Sequence, residues 1–406
     1  MNTSTYGFGT VLGQQSQNKP GRIDMPTKVA GPSHRPPEMD VPRSLNYYAD
    51  YSGCGHWRMI WPEHLLNAYQ KSIIHGSSVM IVDERYYAGV NTVRIQRQAT
   101  EQQLKFMKYL RDLTLKKGIR LVYEIDDICL SEDIPDYNKF KFAFDNKKIR
   151  DAIIQMMELT DEMTVTCDFM KEYYMSKTNH SKVTVIPNYM PKFWIGNHYS
   201  PKKIENDFRR NVRKPRILYA GSGAHFDVSN KVDQQDDFEH VNRVIAQTTD
   251  IFQWVFLGGY PMSLTSLVKA GKIEFHKWTA LYDYPDQLYN LNVNCMVAPL
   301  RDNIFNKAKS NLKYMEACAL GIPIACQDMC TYADAQIKFT TGDEMIDCIR
   351  DIVSGTGAYM QKSASHRRYA EGMWLEDHVD TYRELYNTPY ADPSRGNLNR
   401  LNNIVA

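Results

Sequence analysis

The sequence predicts an α/β protein with two Rossmann-like, doubly wound domains that face each other across a cleft. Short β-branched segments alternate with amphipathic helical segments, which is the pattern of βαβ units and of a mainly parallel sheet. This alternation stops in a polar, proline-containing stretch near residue 188 and restarts at Arg216. Each half has a glycine-containing turn after its first strand, and 406 residues suffice for two full cores.

The changes in composition divide the chain into five parts. Residues 1–40 are polar and rich in Gly, Pro, Gln and Ser, which predicts an extended or disordered N-terminal arm. We assign residues 41–195 to the first domain and 196–213 to a linker, followed by the second domain over 214–360 and a C-terminal helix and tail over 361–406.

In the first half, β-branched runs predict strands, and apolar residues at helical spacing predict helices. Pro62 opens the first helix, whose apolar stripe continues to Ile73 and Ile74, and Asp168 is placed to cap the last helix. The predicted strands are Leu45–Tyr51, Val79–Val82, Val93–Gln96, Ile119–Ile125, Met163–Thr166 and Lys182–Ile186. The other predicted helices are Thr100–Lys117 and Lys147–Thr160.

The second half repeats the pattern. A helix with Phe238, Val241, Val244 and Ile245 on one face follows the first strand and its glycine turn. The predicted strands are Ile217–Ala220, Phe252–Leu257, Ile273–Trp278, Cys295–Pro299 and Ile322–Cys326. The other predicted helices are Asp286–Leu291, Asn311–Leu320, Glu344–Val353 and Ala370–Tyr386.

The strongest functional signal is the helix predicted over Asn311–Leu320. Ser310 is a suitable N-cap, and Gly321 and Pro323 end the helix. Glu316 falls within the helix's apolar arc, and a carboxylate buried there must be paired or hydrogen-bonded. With Lys309, Ser310, Asn311 and Lys313 near the positive helix end, this predicts a diphosphate there and vicinal hydroxyls against Glu316. A core helix with a Glu316–Lys313 salt bridge is the structural alternative.

Two glycine turns are further candidates for phosphate contacts. Gly221 and Ser222 lie between a strand and a helix, where backbone amides can reach a phosphate, although such a turn can also be purely structural. The spacing fits neither G-x-G-x-x-G nor a P-loop, so neither a dinucleotide oxidoreductase nor a kinase is supported. His225, next in the loop, is interpreted as a solvated or capping residue. In the first half, Gly55 precedes Arg58, which could bind phosphate bidentately or form a surface ion pair.

Asp126 and Asp127, at the end of a predicted strand, are the best acidic candidates. They could instead form a helix-capping turn, and a metal site would need ligands that the sequence does not identify. Trp278 belongs to an aromatic cluster interpreted as core and cleft lining.

Composition limits the class of protein. The net charge of +2 implies no strongly polyanionic partner, although a local basic patch could still meet one. No apolar run is long enough to span a membrane, and the N-terminus does not resemble a signal peptide. The eight scattered cysteines have no C-x-x-C pair and indicate buried thiols in a reducing compartment, so we expect a cytoplasmic protein.

Residues 216–328 resemble the C-terminal domain of GT-B glycosyltransferases of the large family-four type. The resemblance is carried by I-L-Y-A-G-S-G-A-H-F-D, by A-P-L-R-D-N-I-F-N-K-A-K-S-N-L-K-Y-M-E-A and by A-L-G-I-P-I-A, and more weakly by V-R-I-Q-R, Y-E-I-D-D and V-I-P-N. It implies that Glu316 holds the donor ribose and that the segment ending at Trp278 lies near the base. The residues implied near the diphosphate are Gly221, Ser222, Lys309 and Lys313. The family often has E-x7-E, but Ala308 occupies the first glutamate's position, which leaves the donor sugar open.

We therefore expect a glycosyltransferase. Its first domain would bind the acceptor, and its second domain would bind a UDP-linked nucleotide-diphosphate sugar as co-substrate. Lys309, Lys313 and Arg58 would neutralise the leaving diphosphate, with Asp126 or Asp127 orienting the acceptor or sugar. The resemblance implies a metal-independent, cofactor-free and retaining reaction. The acceptor is a hydroxymethylated base of bacteriophage DNA or a glycan. A non-catalytic nucleotide-sugar-binding protein and a metal-dependent transferase using Asp126 and Asp127 are the alternatives.

Overall fold

The computed structural model describes residues 41–227, 236–388 and 390. The predicted N-terminal arm over 1–40 and nearly all of the predicted C-terminal tail lie outside these residues. No helix in the described ranges is both long and apolar enough to cross a membrane.

The first domain is built on a parallel sheet of six strands. The strands are β1 (Arg43–Tyr47), β2 (Ile73–Ser77), β3 (Thr92–Gln96), β4 (Arg120–Glu124), β5 (Glu162–Val165) and β6 (Val183–Val185). Their order across the sheet is β2-β1-β3-β4-β5-β6, so the direction of winding reverses between β1 and β3. Open parallel sheets bind ligands at the carboxyl ends of the strands beside such a switch point.

The second domain has a second parallel sheet of six strands. These are β7 (Arg216–Ala220), β8 (Gln253–Leu257), β9 (Glu274–His276), β10 (Cys295–Ala298), β11 (Ile324–Gln327) and β12 (Lys338–Phe339). The order is β12-β11-β10-β7-β8-β9, which places the switch point between β10 and β7. The predicted pair of doubly wound α/β domains is therefore confirmed.

Helices cover both sheets. In the first domain they are the continuous run Gly53–Gly55, His56–Ile60 (a π-helical turn) and Trp61–Ala68, then Glu101–Lys117, Lys141–Phe144, Lys147–Glu158, Asp168–Lys177 and Lys192–Ile195. The later helices are Pro201–Arg210, Asn242–Gln247, Thr265–Lys269, Tyr284–Asn290, Ile304–Lys307, Leu312–Leu320, Gly342–Ile352, Thr356–Glu371 and Val379–Asn387. Short 3-10 turns occupy Glu84–Tyr87, Ser131–Asp133, Gly196–His198, Met262–Leu264, Cys330–Tyr332 and Leu375–Asp377.

The helix Glu101–Lys117 shows how local sequence sets these elements. Thr100 and Gln103 form a reciprocal capping box at its start, which satisfies backbone donors that the helix itself cannot. Gly118 ends it with φ of 64°, a left-handed conformation that glycine adopts without a steric penalty. Met107 and Leu110, both fully buried, face the sheet.

Three predicted features of the first domain need correction. Val79–Val82 is not a strand, and both of its end residues are about two-thirds exposed, at 68% and 67%. The edge strand is instead β2, so Ile73 belongs to the sheet and not to the preceding helix. That helix ends at Ala68 because the chain turns at Gln70, where φ is 54°. Asp168 lies in the first helical turn, one residue after the N-cap Cys167.

Two helix predictions in the second half also change. The helix of residues 311–320 begins at Leu312, and its N-cap is Asn311, not Ser310. The long helix predicted over Ala370–Tyr386 is wrong, because the helix before it ends at Glu371 and a new helix starts at Val379. Gly372 stands at the break, and a 3-10 turn follows it.

The chain crosses between the domains twice. Within the segment predicted as a linker, the helix Pro201–Arg210 buries Ile204 and Phe208 in the second domain's core. The final helix, Val379–Asn387, returns to the first domain, where the Tyr386 hydroxyl donates to Asn46 Oδ1 at 3.0 Å. This hydroxyl also pairs with the guanidinium of Arg94.

This return contact gives a test of the fold. Replacing Tyr386 with Phe leaves the buried Asn46 oxygen and Arg94 short of a partner, so we expect the free energy of unfolding to fall by about 1–3 kcal/mol. The matched control is Tyr382→Phe on the same helix, because the Tyr382 hydroxyl is buried without a hydrogen bond to any described residue. Urea denaturation of both variants measures the difference, and equal loss of stability in the two would contradict the assigned contact.

Candidate active site between the two domains

Glu316 lies on the helix Leu312–Leu320, where the second domain meets the first. Its side chain is buried, with the residue only 8% exposed, and Oε2 accepts a hydrogen bond of 2.9 Å from the Tyr284 hydroxyl. Burial raises the pKa of Glu316 to about 7, against the opposing effects of Tyr284 and Lys313. The salt bridge to Lys313 left open by the sequence is not formed among the described residues. The second carboxylate oxygen accepts no hydrogen bond from them, so it can still accept from a ligand hydroxyl.

An aromatic surface adjoins Glu316. The Trp278 ring stacks on that of Tyr284, with centroids 5.0 Å apart and an angle of 28° between the planes, and Trp278 stays 40% exposed. Gly258, with φ of 93°, makes room for it, since a Cβ there would lie 2.3 Å from the Trp278 ring. The same Cβ would lie 2.8 Å from the carbonyl oxygen of Gly221. An exposed ring face therefore lies beside the first turn of this domain, where a planar base could stack.

Lys313 provides a cation one helical turn before Glu316. Its ammonium lies 3.2 Å from Nε2 of His225 and 5.6 Å from the centroid of the Tyr219 ring. Burial, followed by the charge of Lys309, lowers the pKa of Lys313 to about 8. A group with this pKa is still mainly protonated at neutral pH, and a bound anion would favour its charged form further.

Lys309 connects the domains. Its ammonium lies 3.8 Å from Oδ2 of Asp127 and 4.2 Å from the centroid of the Phe305 ring. The pKa of Asp127 is raised by burial, and the charge of Lys309 opposes that rise. Asp127, one of the two acidic candidates, therefore lies opposite Lys309, one of the lysines predicted to meet the diphosphate.

Asp126 is held by a residue to which the sequence analysis assigned no role. Nη1 of Arg97 lies 3.1 Å from Asp126 Oδ1, and its Nη2 donates to Asp50 Oδ2 at 3.2 Å. These three residues follow β4, β3 and β1, whose carboxyl ends share one edge of the sheet. The available signal was the position of Arg97 directly after the strand in V-R-I-Q-R, although its carboxylate partners follow other strands.

Ser310 and Asn311 serve the interface and the local packing. Nδ2 of Asn188, in the first domain, donates to Ser310 Oγ at 3.0 Å. Nδ2 of Asn311 donates to the Tyr369 hydroxyl at 3.0 Å. Ser310 thus fixes the start of the helix that carries Glu316 relative to the first domain, and its predicted contact with the donor stays a prediction.

The glycine loop after β7 differs from the expected amide cradle. The Gly221 amide donates to the Leu257 carbonyl at 3.0 Å, which commits it to the sheet. Ser222 Oγ accepts from the Ala224 amide at 3.3 Å. Lys139, an exposed residue of the first domain, reaches this loop, with its ammonium 3.2 Å from the position that a Cβ on Gly223 would take. Lys139 therefore places a side-chain cation beside this loop.

The first-domain turn also differs from the prediction. The Gly55 amide donates to Asp50 Oδ1 at 3.2 Å, so it is not available to a phosphate. Arg58 is fully buried, with Nε 2.5 Å from Glu124 Oε1 and Nη1 donating to Asn188 Oδ1 at 2.9 Å. The predicted exposed guanidinium is therefore wrong. Arg58 lies in the core and supports Asn188, which in turn contacts Ser310.

His225 was interpreted as a solvated or capping residue, and this is wrong. It is only 6% exposed, and its Nδ1 lies 2.7 Å from Oδ2 of Asp237. No local signal identified Asp237, because it lies 12 residues after His225 in the sequence. No group of three or more potential ligand residues among the described residues is placed to hold a metal ion.

The pKa of Glu316 gives a prediction about stability. Between the ordinary glutamate pKa of 4.5 and the folded-state pKa of about 7, the folded protein keeps a proton that the unfolded chain has released. The stability due to this proton is therefore complete at low pH and is lost as the pH rises through about 7. Glu316→Gln cannot titrate, so its free energy of unfolding relative to the native sequence should rise by about 1–3 kcal/mol between pH 5 and pH 8.

Urea titrations at several pH values measure this trend. Glu172→Gln, at an exposed position of the first domain, is the control and should show no such rise. A difference between Glu316→Gln and the native protein that stays constant with pH would show that Glu316 is ionised throughout the range.

Solved structures share this architecture. An α-glucosyltransferase in complex with UDP and a 13-mer DNA containing an HMU base superposes with a TM-score of 0.52 and 10% identity, over 86% of this chain and 99% of that chain. A mutant of BGT from phage T4 in complex with UDP-glucose gives 0.48 and 9%, over 85% and 99%. A mutant of TarM from S. aureus, in complex with fondaparinux, alpha-GlcNAc-glycerol and UDP, gives 0.48 and 11%, over 73% of this chain and 55% of that chain.

This chain therefore spans about half the length of TarM and nearly the whole length of the α-glucosyltransferase and of BGT. No protein-family model and no curated protein matches the sequence. At these identities the likeness concerns the fold alone. The chain has the two-domain α/β fold found in GT-B glycosyltransferases.

Proposed function

We propose that this protein is a glycosyltransferase that moves a sugar from a UDP-linked donor to an acceptor hydroxyl. The observation that carries the proposal is the buried Glu316 carboxylate, with one oxygen held by Tyr284 and the other open to a ligand. A carboxylate in this setting suits the vicinal hydroxyls of a ribose. Trp278 offers a ring for the base, and Lys309 and Lys313 offer cations for the diphosphate, all beside the same helix.

The second domain would bind the donor and stabilise the leaving group. As the bond to the sugar breaks, negative charge develops on the diphosphate, and cations fixed in a partly desolvated site stabilise that charge. Lys309 and Lys313 are held before the donor arrives, by Asp127 and Phe305 and by His225. The mechanism needs no bound metal for this step.

The first domain would position the acceptor. Asp127 faces Lys309 across the interface, and Asp126 is held by Arg97, so the carboxylates border the donor's reactive end. Either carboxylate can accept a hydrogen bond from an acceptor or sugar hydroxyl. We assign no covalent nucleophile, and a donor phosphate oxygen takes the acceptor proton, with retention of configuration.

For the acceptor we propose a hydroxymethylated base in DNA. The α-glucosyltransferase with a TM-score of 0.52 was solved in complex with DNA containing an HMU base, which supports this choice. Lys139 places an exposed cation on the first-domain side of the interface, where a phosphate backbone could approach. A target base in a duplex must leave the stack to reach a site between two domains.

One observation favours a non-catalytic nucleotide-sugar-binding protein. Ala308 stands where the family resemblance places a sugar-contacting glutamate, and it is fully buried in a cluster with first-domain residues. A glutamate would not fit there without rearrangement of the interface. Measuring the transfer of sugar from the donor therefore distinguishes a non-catalytic binding protein from a glycosyltransferase.

Products from a panel of UDP-sugars test the function. We expect mass spectrometry to show one hexose-sized addition to hydroxymethylated DNA, with single-stranded or mismatched substrate modified at least as fast as duplex. The reaction should persist in EDTA, because lysines stabilise the leaving group. Unmodified DNA of the same sequence is the control.

The other outcomes discriminate between the alternatives. Transfer only to a glycan would reject the DNA acceptor and keep the enzyme class. Donor binding without any transfer would favour the non-catalytic protein. Loss of activity in EDTA that manganese restores would move the catalytic centre to a metal site at Asp126 and Asp127.

The ribose contact predicts a specific loss of donor affinity. Glu316→Gln keeps the side-chain volume and can still accept from Tyr284, but it replaces a charged acceptor with a neutral one. We expect the affinity for UDP at pH 8 to fall by about 1–3 kcal/mol, the scale of a charge-assisted hydrogen bond. Calorimetry with UDP measures the change, with Glu172→Gln as the control, and equal affinities of Glu316→Gln and the native protein would remove Glu316 from the donor site.

A further inference from the structure

Tyr137 belongs to the first domain but makes its hydrogen bonds in the second. Its side chain is buried, and the hydroxyl donates to Oδ1 of Asp237 at 2.8 Å. The side-chain amides of Asn303 and Asn306 donate to the same hydroxyl at 3.2 and 3.1 Å. One donor and two acceptor positions of the phenol are therefore all satisfied across the domain interface.

Asp237 collects these contacts in a fully buried position. Its Oδ1 also accepts from the Asn306 side chain at 2.6 Å and from the Arg301 amide at 3.0 Å, and its Oδ2 lies 2.7 Å from His225 Nδ1. Burial alone would raise the pKa of Asp237, but the hydrogen bonds, that of His225 first, lower it below its usual value. The carboxylate is therefore ionised and can only accept hydrogen bonds.

The ionised carboxylate fixes the tautomer of His225. Because Asp237 can only accept, Nδ1 of His225 carries the hydrogen. Burial and then the charge of Lys313 lower the pKa of His225 to about 4, so the ring is neutral at pH 7 and Nε2 carries a lone pair. Nε2 lies 3.2 Å from the Lys313 ammonium, which donates to it.

We infer that Tyr137, Asp237 and His225 are positioning residues that hold the ammonium of Lys313 in place through successive hydrogen bonds. Contact between the domains completes this hydrogen-bond chain, because Tyr137 belongs to the first domain. The inference rests on the proposed function, in which Lys313 meets the donor's diphosphate. One ammonium hydrogen is committed to His225, and the other two point elsewhere from a fixed nitrogen.

The surroundings of Lys313 explain why such a chain matters. Lysine has many rotamers, and the entropy of fixing one of them opposes binding unless the side chain is already held. Among the described residues, the charged and titratable groups that face its ammonium, besides His225, are Lys309, Glu316, Asp237 and Cys326, together with the ring of Tyr219. The charge of Lys309 repels it, so without the hydrogen bond to His225 the ammonium would not be held at this position.

The test variant is Asp237→Asn. Its amide oxygen can stay with the three donors from Tyr137, Asn306 and the Arg301 backbone, which turns its NH2 group toward His225. Nδ1 must then accept, the hydrogen moves to Nε2, and an N–H group faces the Lys313 ammonium. We expect UDP affinity at pH 7.5 to fall about tenfold, the effect of one charge-assisted hydrogen bond. We also expect UDP binding to weaken at a lower alkaline pH than in the native protein, because the charge of Asp237 raises the pKa of Lys313.

Tyr137→Phe tests the contribution of the domain contact. It keeps the ring and removes only the hydroxyl, so we expect a fall in UDP affinity of about threefold to tenfold. Tyr382→Phe is the matched control, because that buried hydroxyl has no hydrogen bond to a described residue, and UDP affinity should be unchanged. Circular dichroism and urea denaturation show whether each variant is folded.

Nitrogen NMR of labelled histidine shows which ring nitrogen of His225 carries the hydrogen, and it needs no ligand. We expect neutral His225 with its hydrogen on Nδ1 in the native protein at pH 7, and on Nε2 in Asp237→Asn. If the native protein binds no UDP, the proposed function fails, and the NMR result alone decides the positioning chain. A native His225 with its hydrogen on Nε2 overturns the inference, as does UDP binding with unchanged affinity and pH profile in both folded variants.

Discussion

The first domain depends on one carboxylate buried between two guanidinium groups. Glu124, at the end of β4, is fully buried and bonds to Arg58 from the first helix and to Arg94 from β3. Both guanidinium groups share this one carboxylate, so loss of Glu124 would leave two buried cations without their counter-charge. The triad thereby fixes a helix and two strands with respect to one another.

This constraint reaches the interface between the domains. Arg58 donates to the Ile186 carbonyl at 2.7 Å and to Asn188, and Asn188 in turn holds Ser310, just before the helix that carries Glu316. Asp126 and Asp127 follow Glu124 directly in the sequence, so the triad also sets where the acidic pair emerges from the sheet. A buried ion cluster far from solvent therefore positions groups on both sides of the cleft.

The second domain uses the same principle with one carboxylate. Asp237 gathers donors from the glycine loop, from the segment after β10 and from Tyr137 of the opposite domain. Its charge is stabilised by hydrogen bonds and not by a guanidinium. The nearby ammonium of Lys313 contacts His225 and not Asp237, so it can still bind an anion. Asp126 and Asp127 belong to the first-domain side of the interface, whereas Lys309 and Lys313 belong to the second domain.

The sequence by itself determined the two α/β domains, most strand positions and the helix that carries Lys313 and Glu316. Those features follow from local periodicity, from caps such as Thr100 and from stop signals such as Gly321, which act within a few residues. It also identified a buried carboxylate, since helical geometry alone places Glu316 on an apolar face.

Only the tertiary structure decided how these groups are paired. Arg58 looked like an exposed phosphate ligand because its partner Glu124 lies 66 residues away, and His225 looked solvated because its partner Asp237 lies 12 residues away. The edge strand β2 was missed for a related reason. Its residues Ile73 and Ile74 keep the helical spacing of the preceding apolar residues, although the chain turns at Gln70 and the helix has already ended. Hydrogen bonds and ion pairs between distant segments leave no local pattern in a single sequence, and those contacts form the site here.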